Sequence, residues 1–220
     1  MKEINKYIDH TLLKPTATRD DILKLCDEAK QYNFYSVCVN SYWVTCAFNA
    51  LKNSKIKVCA TVGFPLGAAS TKAKIEEAKK AIKDGADEIE MVMNIGLFKS
   101  ELTKEVRRDI SAVKKAIGDH ILKVIIETCY LNKYEIRIVC DICKMANADY
   151  IKTSTGFGSN GAQLKDIQMI RSAIGDNTKI KASGGIYNKE EAVSFIHAGA
   201  DRIGTTKGID IVFSAKEKEL

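Results

Sequence analysis

HAGADRIGTT, residues 197–206, carries a helix stop, a joint and a strand start in one stretch. It closes AVSFIHAGA (192–200), whose apolar residues cluster at helical spacing, with Gly199 placed where a helix ends. Asp201 then opens a short β-type run. The same order, Gly-Ala-Asp followed by a strand, occurs at 85–87, and Asn-Ala-Asp at 147–149 is close to it. A helix-to-strand joint therefore recurs along the chain.

Around these joints, β-branched runs alternate with helix-like stretches. The runs are YSVCVN (35–40), KIKVCATV (55–62), EIEMVMN (88–94), LKVIIE (122–127), DYIKTST (149–155), KIKASGG (179–185) and DRIGTT (201–206). YIDHTLL (7–13) supplies a first strand ahead of them. Strand and helix in strict alternation imply parallel pairing with right-handed crossovers. About eight such units in 220 residues predict a single-domain (β/α)8 TIM barrel of the α/β class, spanning 1–220. The competing doubly wound open sheet usually has a Gly-rich turn after its first strand, and IDHTLLKP (8–15) has no glycine.

The bulk composition agrees with one ordinary globular domain: 45% hydrophobic, 28% charged, with two prolines and no Pro- or Ser-rich linker. The net charge of +6 is mild, and no basic block of five or more occurs, which argues against nucleic-acid binding. It does suit a small anionic substrate. The first residues, MKEINKYIDH, lack a signal-peptide core, and no apolar run is long enough to span a bilayer. The seven cysteines are expected as reduced core thiols in a cytoplasmic protein with no membrane partner.

Strand alternation then assigns faces. In EIEMVMN, Ile89, Met91 and Met93 suit the helix layer, which turns Glu88, Glu90, Val92 and Asn94 inward. Ile151 and Ile180 face outward, so Lys152, Ser154, Lys181 and Ser183 face inward. Asp9, Cys38, Asn40 and Glu127 point inward by the same logic, while Ile8 and Val39 point out. That interior is far more polar than the branched apolar filling usual in such barrels. One reading is a buried ion network of Lys152, Lys181, Glu90, Glu127 and Asp9; such networks stabilise poorly. The other is an active site at the strand C-terminal ends.

Two lysines on consecutive strands fit amine chemistry. A lysine attacks a carbonyl only when neutral, and a free amine with pKa of roughly 10.4 is almost wholly protonated at pH 7. Burial and a neighbouring cation both favour the neutral form, so one lysine can attack while the other keeps it deprotonated. Spacing leaves open which is which. A Schiff base is an electron sink for C–C cleavage, and Glu90 is placed to move protons, or simply to pair with a lysine. The segments SGG (183–185) and GTTKG (204–208) follow the last two strands, where barrels often bind phosphate through backbone N–H groups. Thr205, Thr206 and Lys207 add donors. No metal is expected. CDIC (140–143) lies in a helical pattern, and His10, His120 and His197 are scattered. Cys38 reads better as a small core residue than as a reactive thiol.

IDHTLLKP, VCVN (37–40), GFPLG (63–67), EIEMVMNIG (88–96), KVIIET (123–128), KTSTGF (152–157), KASGGI (181–186) and RIGTT (202–206) run in order along the chain. With these segments the chain resembles the deoxyribose-phosphate aldolase family. The resemblance implies class I aldolase chemistry without a cofactor: reversible cleavage of 2-deoxy-D-ribose 5-phosphate to D-glyceraldehyde 3-phosphate and acetaldehyde. It makes Lys152 the Schiff-base nucleophile and Lys181 its cationic neighbour. It assigns substrate contacts to Gly156, Gly184, Gly185, Gly204, Thr205 and Thr206, and site ordering to Asp9. A homodimer or higher homo-oligomer is the general expectation for such a protein.

Three departures from the family pattern stand out. Glu90 replaces the usual aspartate, lengthening the side chain by about 1.5 Å, which is expected to slow the enzyme. Thr206-Lys207 replaces a common Ser-Ser, which would shift phosphate binding toward charge. The chain ends AKEKEL, without the terminal tyrosine of some members. A non-catalytic sugar-phosphate binder and a Schiff-base aldolase for another small carbonyl compound are the alternative readings.

Overall fold

A computed structural model describes residues 3–213. Its eight strands are β1 (Ile8–Leu12), β2 (Ser36–Asn40), β3 (Lys57–Val62), β4 (Glu88–Val92), β5 (Ile121–Ile125), β6 (Tyr150–Lys152), β7 (Lys179–Ser183) and β8 (Arg202–Thr205). Each pairs in parallel with the next, and β8 closes on β1 through Asp9↔Gly204. The closed ring excludes the open doubly wound sheet. Helices wrap the outside: α1 (Arg19–Tyr32), α2 (Val44–Leu51), α3 (Thr71–Lys83), α4 (Ile95–Lys99), α5 (Thr103–Ile117), α6 (Lys133–Met145), α7 (Leu164–Ile174), α8 (Lys189–His197) and α9 (Gly208–Phe213). No helix among the described residues is long and apolar enough to cross a membrane. The terminal residues AKEKEL lie outside the described residues.

The recurring joint has one physical design. Gly85, Asn147 and Gly199 all take positive φ (109°, 58° and 114°), so each helix reverses without a steric penalty on a bulkier side chain. The aspartate two residues on then accepts a hydrogen bond from the backbone of the preceding strand. Asp87 takes the Val58 amide at 2.9 Å, Asp149 takes Leu122 at 2.8 Å and Asp201 takes Ile180 at 2.8 Å. Each also meets a cation, Lys57, Lys114 and Arg171 respectively. The aspartate thus registers each new strand against the last.

The outward strand residues, among them Ile8, Val39, Ile89, Met91, Ile151 and Ile180, join the main apolar core with the helices. Helix starts are secured by capping boxes at Thr18/Asp21 and Asn132/Glu135. One ion pair sits within this layer. The buried Lys74 ammonium of α3 donates to Asp109 Oδ2 at 2.7 Å and to the Val92 carbonyl at 3.0 Å, tying α5 to the cavity end of β4. Lys74→Met would strand Asp109 as an uncompensated buried charge. It is expected to lower unfolding stability by about 3–5 kcal/mol in denaturant titration. A loss below about 1 kcal/mol would show that Asp109 finds water instead.

Candidate active site

Lys152 and Lys181 stand side by side, paired across β6 and β7. Between their tips lies Glu90 of β4. Lys152 Nζ donates to Glu90 Oε2 at 2.5 Å, and Lys181 Nζ donates to Glu90 Oε1 at 2.5 Å. The extra methylene of Glu90 is absorbed: the side chain spans both ammonium groups, and no shortfall of reach is seen. Cys38 donates weakly to the same carboxylate at 3.4 Å.

The network continues down the barrel through residues the strand pattern left unremarked. Lys123 of β5 meets Asp9 at 2.8 Å, Glu88 at 2.6 Å and Glu90 at 3.3 Å. Arg202 of β8 meets Asp9 at 2.8 Å, and its guanidinium lies 3.1 Å from the centre of the Tyr35 ring. The alternation that turned Glu90 inward also turns Lys123 in LKVII and Arg202 in DRIGT inward, so the signal was present. Asp9 joins Lys123, Lys181 and Arg202 at the centre of the ring. It is fully buried and does not line the cavity, so its place is beneath the substrate contacts expected around it.

Burial alone would raise the Asp9 carboxyl, but Lys123, Lys181 and Arg202 overcome it and hold it well below the usual range. Burial likewise opposes the Glu90 charge, and Lys152, Lys181 and Lys123 hold its carboxyl low. For Lys181, burial favours the neutral amine, but Asp9 and Glu90 outweigh it and keep the ammonium charged. A depressed carboxyl adds stability that is present above its unfolded pKa and is lost as pH falls through the folded value. These carboxyls should therefore leave the thermal midpoint unchanged down to about pH 5 and lower it steeply only below about pH 4, whereas buried His10, whose pKa burial depresses, takes some stability away below about pH 6.5. The absence of a steep fall below about pH 4 would mean that these ion pairs are not formed in solution.

Above the network a cavity of about 160 Å³ opens at the strand C-terminal ends. Lys152 lines it, with Gly156, Gly184, Gly185, Gly204, Thr205 and Thr206. Lys181 and Glu90 are fully buried below it. Gly184 and Gly185 adopt φ of 84° and 75°, and a Cβ on Gly184 would lie 2.9 Å from Gly161 Cα. Only glycine lets these two backbones close the cavity wall. At Gly204 a Cβ would come within 2.7 Å of Lys181 Cε, so that glycine makes room for the lysine stem. The Thr205 hydroxyl is spent internally: it donates to the Ile186 carbonyl and accepts the Lys207 amide, both at 2.8 Å. Lys207 pairs with Asp210 at 3.4 Å and lines a neighbouring groove instead of the cavity. An anion here meets backbone and Thr206 more than a lysine charge.

Among the described residues, two other donor sets do not form sites of comparable kind. The sulfurs of Cys38 and Cys59 lie within 4.8 Å of a Glu90 oxygen. That carboxylate already accepts two ammonium groups, and burial pushes the Cys59 thiol well up, a poor fit for a cation. In CDIC, burial pushes the Cys140 thiol up to about 12 and the Cys143 thiol well up, and both pack in the core.

A family model described as DeoC/LacD family aldolase matches residues 4–212. A deoxyribose-phosphate aldolase of Brevibacillus brevis is 51% identical over 97% of this chain and 96% of its own length. One from Finegoldia magna is 53% identical over 96% and 99%. Among solved structures, an aldolase called QR15 superposes with a TM-score of 0.96 at 41% identity, covering 100% of this chain and 98% of that one. The deoxyribose phosphate aldolase of Aeropyrum pernix, described as a unique tetramer, gives 0.90 at 30% identity over 99% and 92%.

Proposed function

The chain belongs to the DeoC/LacD family of aldolases and has deoxyribose-phosphate aldolase activity, and we propose that it acts through a Schiff base on Lys152. The carrying observation is access. Of the two paired lysines, Lys152 lines the cavity, whereas Lys181 is sealed beneath it. A second observation supports the choice. Four cations (Lys123, Lys152, Lys181 and Arg202) share three carboxylates (Asp9, Glu88 and Glu90) in one connected set. That buried set balances when one amine is neutral, and Lys152 is the member facing the cavity.

In this reading Lys152 loses its proton to solvent through the cavity, which leaves Glu90 charged and the set balanced, and the neutral amine adds to the C1 carbonyl of open-chain 2-deoxy-D-ribose 5-phosphate. Loss of water leaves an iminium. A base removes the C3 hydroxyl proton, the C2–C3 bond breaks, and its electron pair flows into the iminium to give an enamine. D-glyceraldehyde 3-phosphate leaves. Protonation at C2 and addition of water release acetaldehyde and restore the amine. Glu90, held between Lys152 and Lys181, returns protons directly or through water. The backbone of Gly184, Gly185 and Gly204, with Thr206, receives the phosphate. The reaction serves breakdown of deoxyribose phosphates, and the working form is a homo-oligomer, for which the tetramer of the Aeropyrum pernix relative is the nearest support.

Incubation with deoxyribose 5-phosphate, borohydride trapping and peptide mapping test the assignment. A reduced adduct on Lys152 is expected. An adduct on Lys181 would keep the aldolase and reverse the two lysines. Binding of the sugar phosphate with no adduct would favour a non-catalytic binder.

A further inference from the structure

We propose that Glu127 is a positioning residue for the cleavage, fixing the rim loop 155–158 beside Lys152 by holding Thr155; this rests on the aldolase reading above. Glu127 follows β5 at the cavity end and takes φ 51°, a left-handed conformation that a non-glycine residue adopts only under constraint. The bend turns its buried carboxylate under the loop that follows β6. Both oxygens accept the Thr155 amide at 3.2 Å, and Oε2 also accepts the Thr155 hydroxyl. That hydroxyl in turn accepts the Phe157 amide at 3.0 Å. At Gly158 a Cβ would lie 2.7 Å from Cys129 Sγ and 3.2 Å from Glu127 Cδ, so the loop is seated on the glutamate.

The loop it holds is part of the cavity. Thr155 and Gly156 line it beside Lys152. Phe157 meets Phe64 edge to face, with ring centres 5.4 Å apart, joining the loops after β6 and β3. Glu127 stands outside the ion-pair network of Lys123, Lys152, Lys181 and Arg202, so its removal moves the rim without unpairing that network. Lys152 is the charged group acting on it, with the Cys129 thiol and Thr155 as its other neighbours. An ionised carboxylate offers acceptors only, which suits the two Thr155 donors; burial raises its pKa, and the Thr155 hydrogen bonds and Lys152 pull it back in part.

Glu127→Gln keeps one oxygen for the Thr155 hydroxyl but turns its amide NH2 toward the Thr155 amide, itself a donor. Its kcat/KM is expected to fall about 10- to 100-fold, with faster amide hydrogen exchange at residues 155–158. Thr155→Val should lose a similar factor, Thr155→Ser should regain most of it, and the Glu127→Gln/Thr155→Val pair should lose little more than either alone. A Glu127→Gln enzyme within twofold of the parent, or losses that simply multiply, overturns the proposal while the aldolase stands. If the parent itself does not cleave deoxyribose 5-phosphate, the aldolase reading fails and the proposal falls with it.

Discussion

Replacing Lys152 with alanine is expected to lower kcat/KM for deoxyribose 5-phosphate by about 10⁴-fold or more and to abolish borohydride trapping. The expectation is sharp because the structure separates chemistry from folding at this position. Lys152 touches one carboxylate, and Glu90 keeps Lys181 and Lys123 as partners when Lys152 is gone. The alanine variant should therefore fold, with a circular dichroism spectrum and thermal midpoint close to the parent. Steady-state rates and mass spectrometry of the reduced adduct read the two effects independently. A folded Lys152→Ala enzyme that keeps more than a tenth of the parent rate, or still yields an adduct, would remove Lys152 from the chemistry. Lys181 would then be the amine to test, although reaching it requires the cavity floor to open.

Glu90 is the second large effect, and its two variants answer different questions. Glu90→Gln keeps the length but removes the charge shared by Lys152, Lys181 and Lys123. Lys181 keeps Asp9 and Lys123 keeps Asp9 and Glu88, but Lys152 is left without a carboxylate, and breaking a buried pair in this way should cost about 3–5 kcal/mol of stability. Losing the proton carrier should cost about 10²–10⁴-fold in rate. Glu90→Asp keeps the charge and withdraws it by about 1.5 Å. Because the native side chain touches both lysines at 2.5 Å, the shorter one surrenders at least one contact. A loss of about 10- to 100-fold in kcat is expected, with a folded protein. This reverses what the sequence alone suggested, that glutamate is the ill-fitting member. If Glu90→Asp is as fast as the parent or faster, the direct contacts are not those of the working enzyme, and a water between shorter carboxylate and lysine serves better.

Much of this was legible before folding was considered. The helix-to-strand joints at Gly85, Asn147 and Gly199 announced a repeating unit, because Gly-Ala-Asp or Asn-Ala-Asp recurs between a helical pattern and a β-type run. Period-two alternation placed Asp9, Glu90, Lys152 and Lys181 on one face, because consecutive strand residues must point to opposite sides. The same rule reaches Lys123 and Arg202, which were hidden by an apolar neighbourhood and an adjacent joint. What alternation cannot provide is the destination of a long, flexible side chain. The hydroxyl of Thr205 and the charge of Lys207 looked available as phosphate donors. Local bonds to Ile186 and Asp210 take them up, and those depend on how the last turn folds.

By itself, then, the sequence determined the order of elements, the closed parallel barrel and the polar character of its interior. Those follow from local rules of period, capping and chirality that act over a few residues. Tertiary structure decided which lysine lines the cavity. Lys152 and Lys181 are paired in register and face the same way. However, β6 ends at Lys152, while β7 runs on to Ser183 and the missing side chain at Gly204 lets the Lys181 stem pass below the cavity floor. Depth within a barrel is set by where neighbouring strands stop and which of them leave space. Those neighbours come from distant parts of the chain, so only the folded ring could make the choice.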